Sequence, residues 1–356
     1  MPDRPSYLAS RLDYELPPEL IAQQPAAERG GSRLLHVDVR AGGWHDRMFS
    51  DLPELLPERT VIYFNDSRVI PARMHGKRKS GGAVELLYLE YEGDGVIRAI
   101  VGSNAKLLAG EVIQIVPHYE EWTATLLEQK ALDGVRVQLR DGVSNEVEYE
   151  TLLAWLLDFG ELPLPPYISP RSESDGERYQ TVYAGRLGSV AAPTAGLHFT
   201  EEMLQGLRRA GHATRMLTLH VGIGTFAPLR VEDLKDHVMH EEPYSVGQHV
   251  ADEYLQEHAA GTPVVAVGTT SLRILHTLLK GGVSTGRTSA FIYPGHGTDA
   301  ARMLLTNFHL PRSTLLALVY AFGGEELMRN VYAHAVREKY RFFSYGDCML
   351  IDRGVD

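Results

Sequence analysis

The chain has 356 residues, 44% of them hydrophobic and 23% charged, with a formal net charge of −11. That is globular composition, and at about 150 residues per domain it is long enough for two cores. No apolar run reaches the ~18 residues of a membrane span, and Met1–Ser10 holds no stretch of signal-peptide type, so a cytoplasmic protein is expected. The single cysteine, Cys348, excludes an intrachain disulfide and a thiolate zinc cluster.

From the N-terminus, Leu34–Val39 reads as a strand, Phe49–Leu56 as a short helix and Thr60–Asn65 as a strand. Residues 68 to 79 then carry Arg68, Arg73, Lys77, Arg78 and Lys79 with no acidic residue among them. In an acidic chain this is either a solvated turn or a local patch for phosphates. Five β-type runs follow, Val84–Tyr91, Val96–Val101, Glu111–Val116, Trp122–Gln129 and Val135–Arg140, with Asp133-Gly134 as a hairpin turn. With residues 70 to 77 they make six strands, enough to close a small barrel and remove its edges.

Helix returns at Tyr149–Phe159, and Pro163, Pro165 and Pro166 form a joint. Beyond it, Thr200 should cap a helix that Gly211 closes. Strands are expected at Ala213–Val221, Val264–Gly268, Ser289–Tyr293 and Phe343–Ile351. Helices are expected at Thr270–Lys280, Thr314–Phe322 and Glu325–Glu338. The pattern implies a discontinuous mixed α/β domain (1–73 and 151–356) with a six-stranded β-barrel (74–150) inserted in it.

Three loops are dense in residues suited to a site. Gly222-Ile223-Gly224-Thr225-Phe226-Ala227 fits G-x-G-x-x-A. Pro228 intervenes before any helical pattern, so a loop shaped for another ligand, or a plain turn, is favoured over a nicotinamide site. Thr269 and Thr270 stand where a strand meets a helix, where backbone N–H groups can receive a polar ligand or the threonines simply cap. Asn307, His309 and Arg312 lie before a helix capped by Ser313. His198, His220 and His309 sit in loops or at strand ends, although a lone histidine is more often a satisfied polar residue than a catalyst. His237 and His240 have no third ligand by spacing, so no metal is expected, and no Walker loop occurs.

Read in order, seven blocks resemble the S-adenosylmethionine:tRNA ribosyltransferase-isomerase family of queuosine biosynthesis. They are residues 13–25 (DYELPPELIAQQP) with Ser32–Leu35, 64–73 (FNDSRVIPAR), 177–184 (ERYQTVYA) with 190–200 (VAAPTAGLHFT), 219–226 (LHVGIGTF), 267–273 (VGTTSLR), 306–316 (TNFHLPRSTLL) and 340–350 (YRFFSYGDCML). The resemblance implies an unusual α/β domain with an inserted barrel. It also implies transfer of the ribosyl part of S-adenosylmethionine, a consumed cosubstrate, onto preQ1 at the wobble position of tRNA. Adenine and methionine leave, the sugar is rearranged, and epoxyqueuosine results.

Such chemistry needs a base for the sugar carbon beside the sulfonium and an acid for adenine. His198 and His309 are the candidates, with Asp66 and His220 in reserve. Gly222, Gly224, Thr225, Thr269, Thr270 and Asn307 would hold the cosubstrate. Arg68, Arg73, Lys77, Arg78, Lys79, Arg178, Tyr179 and Tyr183 would contact the anticodon loop by charge and stacking. A monomer is expected. The chain departs from the family in two places: Tyr293-Pro294-Gly295-His296 replaces Tyr-Pro-Gly-Tyr, with Arg302 where an aspartate is usual, and Gly102–Lys106 alters a serine-lysine segment. A divergent paralogue for another RNA or nucleoside, and an inactive tRNA-binding protein, are the alternatives.

Overall fold

The computed structural model describes residues 5–117, 122–128, 134–142, 146–165, 167–168, 175–222 and 229–354. Asp133 of the expected hairpin turn, Pro166 of the joint, and Gly224 and Thr225 lie outside them.

The chain opens with β1 (Arg33–Asp38), β2 (Gly43–Met48), α1 (Leu52–Leu55) and β3 (Val61–Asn65). After β4 (Ser67–Val69) come β5 (Arg73–Arg78), β6 (Ala83–Gly93), β7 (Val96–Ser103), β8 (Val112–Val116), β9 (Trp122–Leu126) and β10 (Val135–Asp141), then α2 (Tyr149–Phe159). The remainder is α3 (Asp175–Arg178), β11 (Arg186–Ser189), α4 (Glu201–Arg209), β12 (Ala213–Leu219), β13 (Glu242–Ser245) and α5 (Gln248–Ala259). It ends with β14 (Val264–Val267), α6 (Gly268–Leu279), β15 (Thr285–Thr288), β16 (Met303–Asn307), α7 (Thr314–Gly323), α8 (Glu325–Arg337) and β17 (Cys348–Asp352).

Packing divides the chain into two units: residues 1–68, 166–186 and 192–356, and residues 69–165 with 187–191. In the second, β5 to β10 close into a barrel of order β10-β7-β6-β5-β8-β9. Alternate residues such as Leu86, Ile97, Ile113, Ile115, Ala124, Val137 and Leu139 fill its interior. This unit runs on through residue 165, past the expected end of the inserted segment at 150. Helix α2 packs with the barrel, because Trp155 stacks on Trp122 with ring centroids 5.3 Å apart and Leu152 and Leu156 are buried.

The first unit is built on a nine-stranded mixed sheet of order β15-β13-β12-β3-β14-β16-β17-β1-β2. Strands β12, β3, β14 and β16 run parallel, and β3, β14 and β16 are buried along their whole length, as strands covered on both faces must be. β17 is antiparallel to β16, and β1 is parallel to β17. One edge of the sheet therefore gathers the C-terminal ends of β12, β3, β14 and β16 and the N-terminal ends of β17 and β1.

Thr200 caps α4 as expected, its side chain accepting from the Met203 N–H at 3.1 Å. Two expected strands are displaced. Ser289–Tyr293 is not a strand: the ladder is the polar Thr285–Thr288, and Phe291–Tyr293 is buried outside it, so an apolar run overrode the true pairing. Phe343–Asp347 precedes β17 as a loop. Gly346 is needed there, since a Cβ would lie 2.5 Å from the Arg341 carbonyl. Asp347 holds the loop by accepting from the N–H groups of Arg33 at 3.0 Å and Arg341 at 2.8 Å. Residues Gly282–Gly286, a G-x-S-x-G spacing, run from the end of α6 into β15, so Ser284 is not on a strand-to-helix elbow.

Candidate active site

The motifs singled out in the sequence meet at that one sheet edge. Asn65 ends β3 and Asp66 follows it, His220 follows β12, Thr269 and Thr270 follow β14, and Asn307 ends β16. Gly268, with φ of +86°, makes the strand-to-helix turn that brings the two threonines there. Asn65 organises the middle of the edge: its Nδ2 donates to the Leu219 carbonyl at 3.0 Å and Thr270 Oγ1 at 3.2 Å, and its Oδ1 accepts from the Ser67 and Leu219 N–H groups. Beside it Asp66 accepts from the Thr218 hydroxyl at 2.6 Å. His220 is half-buried, its Nδ1 has no partner among the described residues, and burial lowers its pKa against the opposing pull of Asp66. At the next strand, Glu242 accepts from the Gly222 N–H at 2.8 Å and pairs with Arg273 in the interior.

His198 lies at the other end of the edge. A short 3-10 turn, Thr194–His198, carries it, and the ring is 5% exposed against Phe49. Its Nδ1 is 2.9 Å from Ser32 Oγ and its Nε2 is 3.2 Å from Asn307 Oδ1. The Asn307 amide is fixed, because Nδ2 donates to the carbonyls of Phe343 at 2.9 Å and Ser344 at 3.2 Å. Its Oδ1 must accept, so Nε2 of His198 carries the proton and Nδ1 is left as the acceptor of the Ser32 hydroxyl. Burial pushes the ring down to about 4, which keeps it neutral at pH 7.

Ser32 and His198 line a small open cleft that Arg29, Arg178, Leu197 and Tyr345 also border. Arg29 donates to the carbonyls of Gln180 at 2.9 Å and Leu197 at 3.2 Å, and Arg178 donates to that of Ala26 at 2.7 Å. Burial first, and then the neighbouring Arg178, lower the pKa of Arg29. Among the described residues neither guanidinium forms a carboxylate ion pair. The cleft thus offers two guanidiniums and the carboxylate of Glu28 beside a neutral imidazole.

Other expected site residues fall elsewhere. His309 follows β16 but is not on the cleft: Nε2 bonds Thr306 Oγ1 at 2.9 Å, its N–H donates to Tyr332 Oη, and its carbonyl accepts from Tyr14 Oη. Burial alone takes it down to about 3. Tyr179 is fully buried, edge-on to Tyr345, so its ring is not at the surface for a base to stack on, whereas Tyr183 is partly buried with its hydroxyl enclosed beside Gly196. In the barrel unit Arg73 is paired with Glu85 at 2.9 Å and Arg78 with Glu111 at 2.5 Å, while Lys77 and Lys79 are exposed. The all-positive segment is thus partly neutralised by glutamates of neighbouring strands. Arg68 is exposed.

Sequence reasoning passed over Arg29, Ser32 and Ser344. Ser32 stood inside a family block and just before a strand, a position from which its side chain could have been suspected.

A family model for queuosine biosynthesis protein matches residues 9–351. The chain belongs to the queuosine biosynthesis protein family. Among its curated members, the S-adenosylmethionine:tRNA ribosyltransferase-isomerase of Dechloromonas aromatica is 47% identical over 96% of this chain and 96% of its own. That of Nitrosospira multiformis is 46% identical over 96% and 98%. The S-adenosylmethionine tRNA ribosyltransferase of Thermotoga maritima, a solved structure, is 31% identical, with a TM-score of 0.54 over 96% of this chain and 99% of that one. Neither Arg302 nor His296, two of this chain's departures noted above, lines the cleft. Arg302 stands at the start of β16, the opposite end from Asn307, and pairs with Asp352 at 3.1 Å. His296 closes a turn on Tyr293. Among the described residues, no helix is long and apolar enough to cross a membrane.

Proposed function

We propose that this chain transfers and isomerises the ribosyl group of S-adenosylmethionine onto preQ1 at the tRNA wobble position, forming epoxyqueuosine and releasing adenine and methionine. The observation that carries the reading is the convergence of the family's blocks on one sheet edge, with a neutral, oriented His198 beside a cleft bordered by Arg29 and Arg178. S-adenosylmethionine supplies the ribosyl group and a sulfonium that acidifies the adjacent sugar carbon.

The chain's own residues orient and move protons. His198 is the base that accepts a proton while neutral and, once protonated, is acidic enough to return it to a departing base. Asn307 holds its tautomer. Asp66, Thr269 and Thr270 furnish polar contacts for the sugar and adenine, with His220 as an uncommitted donor or acceptor. Gly222, Gly224 and Thr225 are assigned to the cosubstrate. His309 is assigned to support rather than chemistry. Arg68, Lys77, Lys79 and Arg178 serve the anticodon loop, with Arg73 and Arg78 contributing less because glutamates already hold them. Tyr179 serves as packing, while Tyr183, partly exposed, stays assigned to the anticodon loop. The chain works in the cytoplasm as a monomer and needs no metal.

The test is to incubate purified protein with S-adenosylmethionine and preQ1-containing tRNA, then measure adenine and the digested nucleosides by mass spectrometry. Adenine release with a ribosyl-derived addition on preQ1 is expected. Adenine release without that addition would favour a paralogue acting on another acceptor. Binding of tRNA with no adenine released would leave an inactive binding protein.

A further inference from the structure

Neither ring nitrogen of His198 is free toward substrate. Its Nε2–H is committed to Asn307, whose amide cannot turn without giving up two carbonyl bonds. Its Nδ1 lone pair is met at 2.9 Å by the Ser32 hydroxyl. The serine in turn lines the cleft, its side chain making no other hydrogen bond among the described residues. A proton passing between this imidazole and the cleft has one route, through the serine oxygen.

We infer that Ser32 is a catalytic residue: its hydroxyl takes the substrate's proton while handing its own to Nδ1 of His198, with Asn307 orienting the ring. This rests on the proposed function above and names the group that contacts the reacting atom. In the step, the C–H bond of the sugar carbon beside the sulfonium breaks and its electron pair stays on carbon, balanced by the sulfonium. A new serine O–H forms as the old one breaks, and an N–H forms on Nδ1. The imidazolium keeps its Nε2–H on Asn307 Oδ1. In reverse, the proton returns through Ser32 to a ring nitrogen of adenine, which leaves with the electron pair of its glycosidic bond. The order Ser32–His198–Asn307 thus works as an acid–base relay, and the serine forms no covalent adduct.

A purely structural serine would satisfy His198 and do nothing else, and rates separate the two roles. For Ser32→Ala the expected result is a fall in kcat for adenine release of about 10²–10⁴-fold. The Kd values for S-adenosylmethionine and preQ1-tRNA should stay within about twofold, since a relay acts in the transition state. Deuterium wash-in at the sugar carbon beside the sulfonium, followed in D₂O, should vanish with it. Ser32→Thr, which keeps the hydroxyl, should recover the rate to within about tenfold of wild type. Should Ser32→Ala fail to fold, Ser32→Cys serves: its more acidic thiol should move the pH profile of kcat/KM to lower pH, and an unmoved profile overturns the relay. Ser32→Ala turning over within tenfold of wild type also overturns it, and leaves the proposed function standing. Wild-type protein that releases no adenine overturns that function, and the relay falls with it.

Discussion

His198 and His309 are near twins by burial: each is 5% exposed, and burial holds each ring neutral, at about 4 and about 3. Their surroundings differ. His198 is tied to Ser32 on a cleft, whereas His309 is enclosed by Tyr332, Tyr14 and Thr306 and knits the chain after β16 to its neighbours. A depressed pKa therefore does not mark a catalyst. What marks one here is a path for the proton to substrate.

The comparison breaks most sharply on rates. His198→Gln should lower adenine release by about 10²–10⁴-fold, while His309→Gln should stay within about tenfold of wild type in steady-state assays. The opposite order would move the chemistry to His309 and empty the cleft of its meaning.

Stability should sharpen it from the other side, through pH. Unfolded histidine titrates near 6.5. His198 and His276, held at about 4, and His309, at about 3, stay neutral in the fold as pH drops below that. The unfolded chain then binds more protons, so their contribution is fully present above about pH 6.5 and is lost as pH falls toward 4 and 3. Urea midpoints measured from pH 7 to pH 4 should decline, and His309→Gln should show a shallower decline. An identical slope would mean that His309 is solvated.

The smallest effect is expected far from both rings. Arg302→Asp sets a second carboxylate against Asp352 at the opposite end of β16. It should cost about 1 kcal/mol in chemical denaturation and leave kcat unchanged. A change in kcat would tie that end of the strand to the site.

Much of the fold was legible because its patterns are local. The barrel alternates with period two, and β3, β14 and α6 to α8 have the apolar content of buried elements. β13 and β15 were missed because Glu242–Ser245 and Thr285–Thr288 carry little apolar character and are fixed by pairing with each other. The site was legible as a set of motifs but not as roles. Nothing near His198 in sequence announces Ser32, 166 residues away, or the amide of Asn307, 109 residues away. Likewise Tyr179 looks like an exposed aromatic until the packing that encloses it is seen.

The nine-stranded sheet is open, and its two rims are poor templates for another chain. On one side β2 ends the sheet with His45, Asp46 and Arg47 exposed, and on the other β15 is a four-residue strand whose Arg287 lies against Glu241. An incoming strand would have to desolvate these charges for few backbone hydrogen bonds. The architecture thereby resists edge-to-edge aggregation, a safeguard that trimming β2 of its charged residues would remove.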